Sequence, residues 1–155
     1  MATTIVPSNL VVTITESYSL NGVDYGNTMN KTYTDNGQVS QRVMSIAGKG
    51  AEATVWTDIL ALSTVDGQGQ VVKADYKYFR ITNLDTVNTL HLRTYNGADY
   101  VAFEVAPASS LLLMDAGYDG TLTSTIVTLR DIEAISGQSS SATEAIDVEF
   151  VMVTA

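Results

Sequence analysis

The sequence predicts an all-β protein, an antiparallel two-sheet β-sandwich of about nine or ten strands, with jelly-roll connections among the arrangements that fit. Three observations predict it. Turn signals recur every eight to fifteen residues along the chain. The runs between them are short, rich in β-branched and aromatic residues, and alternate between apolar and polar. Thr, which suits exposed strand positions, occurs twenty times in 155 residues. That length fits one domain spanning 1–155, large enough to bury roughly two thirds of its unfolded surface without a covalent staple.

Taken in order, residues 1–9 read as an extended N-terminal arm, with no basic region leading into an apolar one and hence no signal peptide. In "LVVTITES" Leu10, Val12 and Ile14 share one strand face and Val11, Thr13 and Thr15 the other. Turns follow at "LNGVDYGN" (20–27), "TDNG" (34–37) and "GKG" (48–50). The stretch 51–62 is ambiguous, because Val55, Ile59 and Leu62 also fit helical spacing; Thr54, Val55, Trp56, Thr57 and Ile59 favour a strand. After "VDGQGQ" (65–70) comes "YFRITNLDTVNTLHLRTY" (78–95), which reads as a hairpin. Phe79 and Ile81 face the core from one strand, Leu90 and Leu92 from its neighbour, and "NLDTVN" turns the chain between them.

Further turns fall at "YNGAD" (95–99), "APASS" (106–110) and "DAGYDG" (115–120). "LRDIEAIS" (129–136) fits either a strand or one helical turn. Residues 136–143, "SGQSSSAT", read as a mobile loop too rich in Ser and Gly to pack a core. In the final strand Ile146, Val148, Phe150 and Met152 oppose Asp147 and Glu149.

Composition narrows the function. Eight Lys plus Arg against seventeen Asp plus Glu give a net charge of −9 without a cationic cluster. Neutralising phosphates requires clustered cations, so nucleic acid and acidic membrane surfaces are not expected partners. No apolar run is long enough to span a bilayer. With no cysteine, thiolate catalysis, disulfides and Cys-ligated metal centres are excluded. Charged residues make up 16%, against ~25% in ordinary globular domains, which suits protein-facing surfaces.

The search for reaction chemistry yields no catalytic, cofactor-binding or metal-binding residue, and the chain is not expected to be an enzyme. His91, the sole histidine, sits between Leu90 and Leu92 and so faces away from the core as a surface residue. No G-x-S-x-G occurs. The carboxylate pairs Asp115 with Asp119 and Asp131 with Glu133 lack the aromatic and basic neighbours that would raise one pKa, so a hydrolase ranks last. "DAGYDG" matches a calcium loop at Asp115, Asp119 and Gly120, but Gly117 replaces a ligand and Ile126 stands where the bidentate Glu belongs. "AGKGAEAT" (47–54) lacks the glycine spacing and the Ser or Thr of a phosphate loop.

Tyrosine is the suggestive excess. Tyr25, Tyr95, Tyr100 and Tyr118 lie in or beside turns, where amphipathic rings meet protein partners or sugars. His91 and Arg93, on the outward face of their strand, join them as candidate contact residues.

The succession "VSQRVMSI", "TVWTDILALS", "DYKYFRITNLDTVNTLHLRTY" and "DYVAFEVAPASSLLLM", from Val39 to Met114, resembles small virion structural proteins of tailed bacteriophages, particularly those of marine and cyanobacterial phages. The resemblance implies a non-enzymatic β-sandwich that decorates the capsid exterior. It would be made in the host cytoplasm, associate as a trimer or dimer, and bind and stabilise the major capsid protein lattice without a cofactor. The loop tyrosines keep a second expectation open, a carbohydrate-binding or adhesive β-sandwich module of a phage fibre or other extracellular assembly.

Overall fold

The first strands stand apart from the rest, and the reason is local. In the computed structural model, which describes residues 8–63, 71–114, 117–118, 127–128 and 132–155, β1 (Ser8–Glu16), β2 (Ser19–Leu20), β3 (Val23–Asp24) and β4 (Asn27–Asn36) fold into one long antiparallel ribbon. Asn21 and Gly22 form its tip with φ of 52° and 79°, the left-handed pair that a two-residue hairpin turn demands. Register holds along it: Leu20 faces Val23, Ile14 faces Met29 and Leu10 faces Tyr33. Between the two paired segments the Tyr25 amide donates to the Tyr18 carbonyl at 3.0 Å, so the ladder continues.

At the ribbon base the chain turns sharply through Gly37, where an added Cβ would lie 2.8 Å from the Ala155 carbonyl oxygen. It then enters β5 (Gln38–Ile46), followed by β6 (Thr57–Ser63), β7 (Val71–Val72), a 3-10 turn at Lys73–Asp75 and β8 (Tyr76–Asn83). The remaining strands are β9 (Leu90–Tyr95), β10 (Tyr100–Val105), β11 (Ser110–Met114), the short pair β12 (Gly117–Tyr118) and β13 (Val127–Thr128), β14 (Ala134–Ser139) and β15 (Ile146–Thr154).

Two sheets form the body, one ordered β10-β9-β14-β6-β7 and the other β11-β8-β15-β5. The pairings within them are antiparallel except for the short parallel contact of β6 with β7. Among the eight principal strands, every successive step crosses from one sheet to the other except the β9–β10 hairpin. That alternation is jelly-roll connectivity, so the expected all-β sandwich is present.

The core lies between the sheets. Phe79, Ile81, Phe150 and Met152 project inward from the four-stranded sheet, and Leu90, Leu92 and Ile135 from the five-stranded one. Phe79 stacks on Phe150 with centroids 6.1 Å apart, at the middle of the inner layer.

Several sequence expectations need correction. Residues 78–95 are not a hairpin: β8 pairs with β11 and β15, whereas β9 pairs with β10 and β14. "NLDTVN" is an arch between sheets, and alternation cannot tell facing strands from paired ones. The 136–143 loop is also wrong in its first half, since Ser136–Ser139 are buried in β14 between β6 and β9. A Cβ on Gly137 would come within 3.0 Å of both Ile59 and Leu90, so the small residues there serve close packing. In the stretch 51–62 the strand begins at Thr57, preceded by turns. Of the expected N-terminal arm, Ser8 and Asn9 belong to β1 and residues 1–7 lie outside the described residues.

Asn83 fastens the arch. Fully buried, its amide nitrogen donates to the carbonyls of Asn88 at 2.9 Å and Val105 at 3.1 Å, while its Oδ1 accepts from the Asp85 amide. The Asp85 carboxylate accepts from the Asn88 and Val87 amides, which hold its pKa below the usual range. The Ala108 amide donates to the Asp85 carbonyl at 2.9 Å, tying in the β10–β11 arch.

Two outcomes follow for stability. Asn83→Ala strands several buried carbonyls and should cost about 1–3 kcal/mol, read as a lower urea midpoint with unchanged slope. Tyr76 is buried with no hydrogen-bond partner for its hydroxyl among the described residues, and burial pushes its ionisation well above the ordinary value of 10.0. Tyr76→Phe should therefore be at least as stable as the parent at neutral pH. Stability present below pH ~10 is lost as unfolded chains ionise above it, so in alkaline melts the variant should lose less than the parent.

Candidate interaction surfaces

Two outward faces gather the residues singled out from the sequence. The first is the outer face of the five-stranded sheet, where strand alternation turns His91, Arg93 and Tyr95 of β9 away from the core. Tyr100, Ala102 and Glu104 of β10 lie opposite them. Tyr95 and Tyr100 stack with centroids 4.6 Å apart, and the Tyr95 hydroxyl donates to the Gly97 carbonyl at 2.6 Å, fixing its ring over the turn.

The Arg93 guanidinium sits between two rings, 4.2 Å from the Trp56 centroid and 4.7 Å from that of Tyr100. Such a cation is held by ring quadrupoles and needs no carboxylate. Its Nε is buried and has no hydrogen-bond partner among the described residues, which makes the stack its principal anchor. On the same face Ser136 donates to Asp58 at 3.0 Å. His91 lies 3.9 Å from Glu104, whose side chain is 80% exposed, so water screens the pair and it adds little. The face is an aromatic plate with an embedded cation, able to stack on a flat ring or a sugar face.

The second surface is the ribbon. Leu10, Val12, Ile14, Tyr18 and Leu20 fall on one side with Val23, Tyr25, Met29 and Tyr33 opposite them, while Thr13 and Asn30 bond across the other side at 2.8 Å. The base of this apolar stripe packs on the outer face of the four-stranded sheet, where Leu10, Val12 and Tyr33 meet Tyr78, Leu112, Met114, Val151 and Val153. Arg80 and Glu149 form an ion pair at 2.7 Å on that face, and Lys77 donates to the carbonyls of Thr34 and Asp35. A groove of about 470 Å³ opens between ribbon and sheet, lined by Leu10, Val12 and Ile14 on one wall and Tyr78, Leu112 and Val151 on the other.

Beyond Ile14 the stripe runs clear of the body. Tyr18, Leu20, Val23 and Tyr25 are each at least half exposed, Tyr18 stacks on Tyr25 at 5.4 Å, and Met29, level with Ile14, is half exposed at the edge of the covered part.

The candidate contact residues thus divide. His91, Arg93, Tyr95 and Tyr100 come together, Tyr25 stands at the ribbon tip, and Tyr118 belongs to β12 with its side chain outside the described residues. Trp56 and Tyr18 were not singled out from the sequence. The signal for Tyr18 was its symmetry with Tyr25 about Asn21–Gly22; Trp56 lies just before β6, and no local pattern encodes its contact with β9. Of the carboxylate pairs, Asp115, Asp119 and Asp131 lie outside the described residues, and Glu133 bonds Lys73 at 3.1 Å. Among the described residues no cluster of three or more His, Asp or Glu could hold a metal ion.

Compared with family models, curated proteins and solved structures, the chain matches none.

Trp56 is the sole tryptophan, so its fluorescence reports on the stack alone. Arg93→Ala should shift that emission and cost about 0.5–2 kcal/mol. An unchanged spectrum would show that the Trp56–Arg93 contact does not persist in solution.

Proposed function

We propose that this protein is a non-enzymatic structural subunit of a virion, a decoration protein that binds the outside of the major capsid protein lattice and stabilises it. The observation that carries this reading is the ribbon, which extends an apolar stripe past the body that covers its base. Exposed apolar surface of this kind marks protein contact. The resemblance of Val39–Met114 to phage virion proteins supplies the kind of partner, and a jelly-roll body is a scaffold used for capsid and lectin domains alike. Low affinity per site is sufficient on a lattice, where many subunits act together through effective concentration. The net charge of −9 keeps such an outer layer from adhering to other polyanions.

A second reading has its own observation, the Trp56–Arg93–Tyr100 plate. Aromatic faces on a β-sandwich can stack on sugar rings, which suits a carbohydrate-binding or adhesive module.

Capsid sedimentation separates the two. Purified protein added to undecorated capsids should co-sediment with them and raise their disruption temperature, while glycans leave Trp56 fluorescence unchanged. Absence from the capsid pellet, coupled with a saturable fluorescence change on glycan addition, would reverse the order.

A further inference from the structure

The ribbon raises a question that its own chain answers only for half its length. A two-stranded ribbon is marginal in water unless a face is covered. The lower half meets this condition on the outer face of the four-stranded sheet, whereas the outer half has the same chemistry on the same side and no cover. Its rings and aliphatic side chains remain 50–59% exposed.

The same sheet face also has an uncovered strip. In β5, Val39 pairs with Val153 and Val43 with Glu149, which places both valines on the outward side, beside the area that the ribbon base covers. They are 60% and 64% exposed. Each molecule therefore presents an apolar arm without a seat and, on the face that seats its own ribbon base, apolar surface without an arm.

We propose that the outer half of the ribbon docks on the outer face of the four-stranded sheet of a second copy of this chain, against Val39 and Val43. Copies would then associate by reciprocal or cyclic exchange of ribbons. The contact continues an interface the chain already makes with itself, between the ribbon's apolar side and this sheet face.

Charge permits it despite the net −9 of each copy. On the apolar side of the outer half the charged residue is Glu16, Lys31 lying opposite Val12 at the base, and on the receiving face Glu149 beside Val43 is already paired with Arg80 at 2.7 Å, so few bare like charges meet there. Area also permits it. Four large side chains half exposed offer at most about 400 Å² per arm, so two arms with the faces that receive them bury at most about 1,600 Å², within the standard range for a stable interface. The inference does not rest on capsid binding: it assigns the arm to a second copy, so in the capsid reading the ribbons join neighbouring subunits and the lattice is met by the remaining surface of the assembly.

The test is analytical ultracentrifugation of the full chain at tens of micromolar. The parent should sediment above the 16.6 kDa monomer. Tyr18→Ser/Leu20→Ser removes the arm contact and Val39→Thr/Val43→Thr alters the seat with little change of shape. Each should weaken association by at least ~30-fold, the loss expected of central contact residues, with unchanged circular dichroism and a melting temperature that no longer rises with protein concentration. Mixing the two variants should give a complex weaker than the parent's but tighter than either variant forms alone, because the intact arm of one fits the intact seat of the other and one contact of two is kept. A monomeric parent, an oligomer indifferent to either double substitution, or a mixture that stays monomeric would each overturn the proposal. Capsid co-sedimentation reports separately on the reading of function.

Discussion

A buried amide side chain must find partners for its donors and acceptor, and the arch end of this fold is arranged around that requirement at Asn83. Asn83 ends β8 in the four-stranded sheet, and its nitrogen reaches carbonyls on the β8–β9 connection and at the end of β10 in the five-stranded sheet. Satisfying one side chain thus holds two consecutive crossings side by side. Once β8 leads across the gap instead of turning back on its own sheet, β9 is free to pair with β14, and β8 with β15. The alternating rows of Phe79, Ile81, Leu90 and Leu92 then face each other across the core instead of lying side by side.

The same strand periodicity produces both surfaces. In β9 it buries Leu90 and Leu92 and delivers His91, Arg93 and Tyr95 to the outside. In the ribbon it collects the apolar residues on one side, but there the strands outrun the sheet below them. The five-stranded face holds its aromatic rings by stacking them on a cation, whereas the ribbon tip stacks two tyrosines on each other. One stack is laid on the body by its cation, and the other stands out from the body on the ribbon.

Much of this was legible in the sequence. Strand alternation identified the inward residues of β8, β9 and β15, and the Asn and Gly signals located the turns at Asn21–Gly22, Gly37 and Asn96–Gly97. What alternation could not convey was which strands pair and which face each other, because both arrangements bury the same residues. The β8–β9 arch was therefore read as a hairpin. Composition misled at Ser136–Ser139, where small residues read as loop are needed for Ile59 and Leu90 to approach Gly137. Among the candidate contacts, Arg93, Tyr95 and Tyr100 were found by their outward parity and turn positions. Trp56 was passed over because its meeting with Arg93 is made by the fold and has no local spacing. The apolar tip of the ribbon was legible in principle, since the parity of Leu10, Val12 and Ile14 continues through Tyr18 and Leu20.

The position of β15 has a consequence for the order in which the molecule forms. It is the last strand in the chain, yet it lies between β5 and β8, and Gln41 meets Glu149 across 108 residues of sequence. Topologies of such long range fold in milliseconds to seconds, while hairpins close in microseconds. The ribbon, whose pairings are local, can thus zip up while β5 still awaits its only neighbour in the sheet. During synthesis it would spend its early life as a finished element, both halves of its apolar side bare, before any sheet exists to shelter the lower one.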